Sequence, residues 1–298
     1  MTITSVLEEM YGGVDLFTLT EAYQSVEEKM EVKRPSIRAR IYEAIDEGKL
    51  IRLAEGVFSF KGCLVIQGNG RDLSFIEDNS IDLIITDHPY DSASNKGGNR
   101  NFANQYECFN YSQDDLNEMA RVMKDGSFML QFLPLENGDN WEYLYDIKKY
   151  AKNAGFEYYA SVQWVKTGFV SNCGRTSKDA EVITIFTKGK ARKLRPDAKK
   201  DKAEPDVKHF MSGASKMLPC RYEYAKPKNM IHQAEKPVEL LSELLNTFSL
   251  ENELCLDMFA GSGSLGEACM LENRRAILIE KMEKNVNLIK TRIENLIS

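Results

Sequence analysis

The sequence predicts an α/β protein: a doubly wound, mainly parallel sheet with helices on both faces, preceded by a small, mainly helical unit. Two observations carry this expectation. Over residues 62–187 and 230–298, seven short β-rich runs alternate with amphipathic stretches of helical length, the pattern of a parallel sheet covered on both sides. Residues 1 to about 60 differ in texture, with helical stretches followed by two short apolar runs. At 298 residues the chain has room for one large domain and a small one, and the change in texture divides it into 1–61 and 62–298.

In chain order, LFTLTEAYQSVEEKM and PSIRARIYEAIDEG belong to a run of three helices, and KLIRLAEGVFSF reads as two strands turning at Glu55-Gly56. Pro35 suits the first turn of the third helix and Gly48 its end. Three helices and a two-stranded wing are similar to a winged helix-turn-helix, with Arg38 and Arg40 on the recognition helix. A small packing or dimerisation module would show the same pattern. The strand-like runs of the larger unit are LVIQG, DLIITD, SFMLQF, YASVQWV, EVITIFT, LCLDMF and AILIE. Between them lie helical stretches such as DDLNEMARVMKDG, NWEYLYDIKKYAKNAG and PVELLSELLNTFS. There are no internal repeats.

Composition narrows the function classes. Hydrophobic residues make up 43% and charged residues 28%, as in ordinary globular proteins. No apolar run approaches a membrane span, and MTITSVLEEMYGG lacks a basic-then-apolar signal, so a cytoplasmic protein is expected. Six cysteines are scattered without CxxC pairs or Cys/His clusters, which reads as reduced thiols and no metal site. The net charge of −6 argues against a nucleic-acid partner, yet from Lys188 to Lys228 there are 13 Lys/Arg against 5 Asp/Glu. That strip, an insertion at about 188–230, can bind a phosphate backbone; a solvated loop is the alternative.

Three motifs carry chemistry. Asp87-His88-Pro89-Tyr90 follows the strand DLIIT, Asp257-Met258-Phe259-Ala260-Gly261-Ser262-Gly263 follows LCL, and His232-Gln-Ala-Glu-Lys236-Pro237 opens the helix before the glycine strand. Gly261 and Gly263 let backbone approach a ligand closely, and the helix from about Ser264 to Glu272 presents free N–H groups there. Glu280, ending AILIE, is placed to accept from two ribose hydroxyls. Neither GxGxxG nor GxxxxGK[ST] is present, which disfavours nicotinamide cofactors and nucleoside triphosphates. An adenosine-containing ligand without a pyrophosphate, such as S-adenosylmethionine, fits better.

The DHPY motif suits activation of an aromatic amine, whose nitrogen lone pair is delocalised into its ring. Asp87 and the carbonyl of His88 offer two acceptors for the two N–H hydrogens, and Pro89 holds residue 88 extended. Tyr90 offers a face on which an extruded base can stack. Trp164 and Phe169 are candidates to line a base pocket, although an aromatic ending a strand usually belongs to the core. His209 is expected to face solvent in the basic loop, and NFANQYECFNY either orders over substrate or packs.

DHPY resembles the DPPY motif of amino-DNA methyltransferases, and DMFAGSG resembles their S-adenosylmethionine-binding FxGxG motif. DHPY precedes FAGSG, as in the permuted beta class of that family. The resemblance covers about residues 62–298 and implies a seven-stranded Rossmann-like methyltransferase sheet in circularly permuted order, with the basic insertion as target-recognition region. It also implies that Asn69, Lys236, Asp257, Phe259, Ala260, Gly261, Ser262 and Gly263 surround the cofactor and that Glu280 holds its ribose. Double-stranded DNA would be the partner and a homodimer the assembly, with restriction-modification as one setting. Two positions depart from the pattern: His88 replaces the usual first proline, a substitution compatible with activity because the acceptor is its carbonyl, although its imidazole could crowd the base or contact DNA. Asn69 stands where an Asp is common, with Asp72 as a compensating acid. Asp87 rather than Ser at the head of the motif favours adenine N6 over cytosine N4. The alternatives are a cytosine-N4 enzyme, a catalytically silent winged-helix DNA-binding protein with the methyltransferase fold as scaffold, and methylation of RNA or a protein amide.

Overall fold

The computed structural model describes residues 2–13, 15–90, 107–168, 179–194, 218–228, 230–232 and 234–297. Its N-terminal unit begins with helix α1 (Ile3–Tyr11), strand β1 (Phe17–Thr18), and helices α2 (Leu19–Lys29) and α3 (Arg34–Asp46). Strands β2 (Ile51–Ala54) and β3 (Val57–Ser59) follow. Helix α2 starts at a reciprocal cap in which Thr18 and Glu21 satisfy each other's backbone N–H. Pro35 lies in the first turn of α3, and Gly48 follows that helix at φ +75°. The hairpin turns at Glu55-Gly56, and β1 adds a third strand that the sequence pattern did not reveal, in the order β1-β3-β2. Val6, Leu7, Phe17, Val26, Ile37, Ile41 and Phe58 fill the core of this unit. The hairpin also reaches outward: Ile51 and Leu53 join one of the main cores, and Arg52 pairs with Glu77 at 2.6 Å.

The larger unit runs β4 (Cys63–Gln67), β5 (Ile81–Thr86), α4 (Gln113–Val122), β6 (Met123–Leu133), α5 (Trp141–Asn153), β7 (Phe156–Val165), β8 (Ala180–Lys188) and β9 (Arg221–Glu223). It closes with α6 (Val238–Phe248), β10 (Leu254–Asp257), α7 (Ser264–Leu271), β11 (Arg275–Glu280) and α8 (Glu283–Ile297). All seven strand-like runs are strands, in a mostly parallel sheet ordered β4-β11-β10-β5-β6-β8-β7-β9. Among the described residues the sheet has eight strands rather than the expected seven. The eighth is the short β9, within RYEYAK, which pairs in parallel with the end of β7. Three residues are too few to give an alternating pattern. The tail of DDLNEMARVMKDG belongs to β6 rather than to a helix, since α4 stops at Val122 and Gly126 takes φ +81°.

Every residue of β5 is buried, as expected for a central strand covered on both faces. One face packs Leu240, Leu244 and Phe248 of α6, Leu265 of α7 and Ile289 of α8. The other packs Leu116 and Met119 of α4 and Leu144 and Ile147 of α5. Cys63, Cys255 and Cys269 are free thiols in this interior. Among the described residues no helix is long and apolar enough to cross a membrane.

Candidate active site

Strands β5 and β10 are parallel neighbours, with Cys255 opposite Leu83 and Leu256 opposite Ile84. Their carboxyl ends therefore bring Asp87 and Asp257 to the same edge, although 170 positions separate them in the chain. Thr86 Oγ1 donates to Asp257 Oδ1 at 3.1 Å and ties the two ends together. In open α/β sheets ligands bind at such strand ends. Here a half-open cleft lies between the motifs, lined among others by Asp87, Lys236, Asp257, Phe259, Ala260, Gly261 and Ser262.

The glycine turn is shaped by its neighbours. Gly261 and Gly263 adopt φ +51° and +74°, a region costly for residues bearing a Cβ. A Cβ on Gly263 would lie 2.7 Å from Ile289 Cγ2, and one on Gly261 would lie 3.2 Å from the His232 ring. Glu280 is buried behind the turn, accepting from Gly261 N at 3.0 Å and Met282 N at 2.8 Å. Asp257 accepts from Phe259 N at 3.0 Å. Burial nevertheless raises its carboxyl to about 7, with the bonds from Phe259 and Thr86 pulling the other way. Among the described residues no cation is paired with it.

On the acceptor side, Lys236 precedes the Pro237 cap of α6, and its ammonium contacts the Asp87 carboxylate directly. Lys236 also lies 3.2 Å from Glu181, which pairs with Lys166 at 2.8 Å. Burial opposes the Lys236 charge, but Asp87 and Glu181 outweigh it and hold the ammonium above its usual range. For Asp87 burial wins and raises the carboxyl despite Lys236. For Glu181 burial loses to Lys236 and Lys166, and the group falls to about 2. Glu181 falls inside the strand-like run EVITIFT and Lys166 directly after YASVQWV, and no motif singles out either. The available signal was a charge at each end of an otherwise apolar pair of runs, but no sequence pattern says that those ends meet.

His88 is turned away from the cleft, 2% exposed. Its ring lies 3.9 Å from the centroid of Tyr111, is flanked by Phe109, Tyr143 and Phe259, and its Nε2 is hydrogen-bonded to Tyr143 Oη. Burial lowers it to about 3, so the ring is neutral near pH 7. An imidazole crowding a base or touching DNA is thereby corrected to a packing role. The His88 carbonyl accepts from Tyr90 N at 2.9 Å, which leaves its second lone pair, while Pro89 O accepts from Phe109 N at 2.9 Å. Within NFANQYECFNY, Phe109 and Tyr111 pack around His88; residues 101–106 lie outside the described residues.

Trp164 belongs to the core: it is 1% exposed and its Nε1 donates to Tyr224 O at 3.0 Å. Phe169 and His209 lie outside the described residues, as does 195–217 of the basic strip. Two basic residues at the head of that strip are anchored to the body, Arg192 to Glu253 and Lys188 to Asn79. Asn69 is exposed, its Oδ1 accepting from Arg71 N at 3.2 Å, and Asp72 accepts from Ser74 at the surface. Neither is among the residues that line the cleft. The residue that matters in this turn is one the sequence reading passed over, Gly70: a Cβ there would lie 1.9 Å from the Met258 carbonyl oxygen.

Residues 81–291 match the DNA methylase family of N6 and N4 methyltransferases. A putative methylase, YubD of Escherichia coli (strain K12), is 31% identical over 220 residues, covering 74% of this chain and 85% of the relative. The crystal structure of an M1.HpyAVI–SAM complex superposes with a TM-score of 0.56 at 18% identity, over 78% of this chain and 98% of that one. PvuII DNA methyltransferase, cytosine-N4-specific, gives 0.58 at 15% identity, over 78% and 86%. The solved structures speak for the fold. The family match and the relative show that this chain belongs to the N6/N4 DNA methylase family, and it is a DNA methyltransferase.

Proposed function

We propose that the protein methylates adenine N6 in double-stranded DNA, using S-adenosylmethionine and a flipped-out target base. The observation that carries this reading is the common cleft of Asp87 and the Asp257–Gly263 turn at the ends of adjacent parallel strands. The cofactor fits the residues present. Glycines at 261 and 263 permit the positive φ that the turn adopts, and Asp257 is a buried acid with no cation paired to it among the described residues. Asp257, Phe259, Ala260, Gly261 and Ser262 would line its site, with Gly263 and Glu280 holding the turn and Glu280 offering oxygens to the ribose. Bound there, the cofactor would supply a methyl group made electrophilic by its sulfonium and leave as a neutral thioether, and the proton given up by the amino nitrogen would pass to solvent.

The chain's own residues prepare the nitrogen. Asp87 and the His88 carbonyl accept its two N–H hydrogens, which localises the lone pair, and Pro89 keeps that carbonyl in place. Tyr90 offers a stacking face for the base, whose extrusion costs a few kcal/mol. Lys236 acts on Asp87 as much as on the cofactor. Because the strand bearing DHPY comes first in the chain yet neighbours the FAGSG strand, the order supports the permuted beta class. The division at residue 61, the winged-helix reading of the N-terminal unit with Arg38 and Arg40 facing DNA, and phosphate binding by the basic strip belong to the same proposal. A cytosine-N4 activity is favoured by one observation, the likeness to PvuII methyltransferase; the acid at position 87 weighs for adenine.

The test is incubation with labelled S-adenosylmethionine and mixed-sequence duplex DNA, followed by nucleoside analysis. N6-methyladenine is expected. Label in N4-methylcytosine, RNA or protein would redirect the assignment, and cofactor binding without transfer would return the silent-scaffold reading. Asp87→Ala should abolish transfer and leave cofactor binding largely intact; an active variant would remove the role given to Asp87.

A further inference from the structure

The four charged groups at the rear of the cleft form a chain, Asp87–Lys236–Glu181–Lys166, with no net charge when all are ionised. Lys236 stands between two carboxylates: it contacts Asp87 and is 3.2 Å from Glu181 Oε2. Two aromatic faces bound its position. Its Nζ lies 5.0 Å from the centroid of Phe132 and 5.8 Å from that of Trp164, while Lys166 covers Trp164 at 5.3 Å. Asp87 and Lys236 line the cleft, whereas Glu181 is set behind them. Strand register puts it there, because Glu181 lies opposite Trp164 in the β7–β8 ladder.

An ammonium resting on Asp87 neutralises the carboxylate that is to grip an amino N–H. We infer that Glu181 is a positioning residue for methyl transfer: it is the alternative seat for Lys236, which moves onto it from Asp87 when the amino group of the target base arrives. This rests on the role proposed above for Asp87. The exchange needs only a short displacement of Nζ between two carboxylates already beside it, along walls that attract a cation throughout. Net charge in the cleft is unchanged, and no bond other than hydrogen bonds is made or broken. Lys166 tunes the balance. By pairing with Glu181 it weakens that seat, so that Lys236 returns to Asp87 when the base leaves.

Charge removal at the two ends of the chain then has opposite effects. Glu181→Gln keeps the shape but abolishes the alternative seat. Lys236 stays on Asp87, and the fraction of enzyme able to hold the base falls in proportion. Lys166→Met strengthens the seat. The experiment measures the single-turnover rate with enzyme in excess over mixed-sequence duplex DNA and labelled S-adenosylmethionine, with melting temperature and calorimetric cofactor affinity for each variant. Glu181→Gln is expected to slow transfer about 10-fold with cofactor affinity within about twofold of native. Lys166→Met is expected to transfer faster than native. The double variant, which restores charge balance, is expected to regain melting temperature and remain slow.

A native rate in Glu181→Gln, equal slowing by the two single variants, or recovery of rate in the double variant would each overturn the inference and leave a purely structural ion cluster. Asp87→Ala, run alongside, separates the two levels. If it is inactive while Glu181→Gln is normal, only this inference fails; if it is active, the proposed role of Asp87 fails.

Discussion

Gly70→Ala is expected to damage both the fold and the cofactor site, although Gly70 lies in neither motif. Gly70 is buried where the turn after β4 crosses the Asp257–Phe259 segment. A Cβ at this position would be 1.9 Å from the Met258 carbonyl oxygen and 2.7 Å from Phe259 Cε1, whereas ordinary contact begins at 3.4 Å. The two backbones must therefore separate by about 1.5 Å, the difference between the contact distances 3.4 and 1.9 Å. The first obstacle is backbone, which cannot rotate aside as a side chain can. Overpacking of this kind costs about 3 kcal/mol, the upper end of its usual range. A neighbouring control isolates the steric cause: on Gly68 the Cβ would lie 3.6 Å from Ile279 Cγ2, an ordinary contact. Gly68→Ala is expected to be neutral or to gain about 0.5 kcal/mol through the unfolded chain. In thermal melts the two variants should differ by roughly 6–14 °C, given about 2–4 °C per kcal/mol for a domain of this size. By titration calorimetry Gly70→Ala should lose at least ~10-fold in S-adenosylmethionine affinity, since Phe259 and Gly261 share the displaced turn. Equal melting and equal affinity for the two variants would refute the reasoning.

Further outcomes follow from charge. His88 has a folded value near 3 against an ordinary 6.5, so the stability it contributes is complete above about pH 6.5 and is lost as the pH falls toward 3. Between pH 7 and 5 that loss is about 2 kcal/mol. Asp257, raised to about 7, acts in the opposite sense over this window. The measurement is therefore the native-minus-His88→Gln difference in denaturant stability, which should shift by about 2 kcal/mol in favour of the variant at pH 5; a pH-independent difference would contradict a buried neutral imidazole. For DNA binding, replacing Lys199, Lys200 and Lys202 by Ala should lower affinity across sequences and reduce the slope of log K against log salt by up to about 0.9 per lost phosphate contact. The same assay on Arg38→Ala/Arg40→Ala tests the N-terminal unit, and an unchanged slope in either variant would release that region from DNA contact. Arg192→Ala, by contrast, should cost stability through its bonds to Glu253 and the Phe248 carbonyl.

Much of the architecture was legible because local chemistry fixes it. All seven apolar runs are strands, and Pro35, Gly48 and the Glu55-Gly56 turn stand where their backbone preferences put them. Elements too short to carry a period were missed: the two residues of β1 and the three of β9 owe their conformation to the strands beside them. The α4–β6 junction was misjudged because MKDG continues a helical pattern, while pairing with β5 draws it into the sheet. In the turn after β4 the near contact of two backbones falls on Gly70, which no motif marks.

By itself the sequence determined that a glycine turn and a DHPY turn each end a buried strand, because strand and turn propensities act over a few residues. Only the tertiary structure decided that those ends adjoin, that His88 faces an aromatic cage instead of the cleft, and that Glu181 and Lys166 continue the charge pair begun by Asp87 and Lys236. The reason is physical. A residue's secondary structure depends on near neighbours in the chain, but its partner depends on strand order and register. These are set by burying both faces of one sheet at once, a condition that no local segment contains.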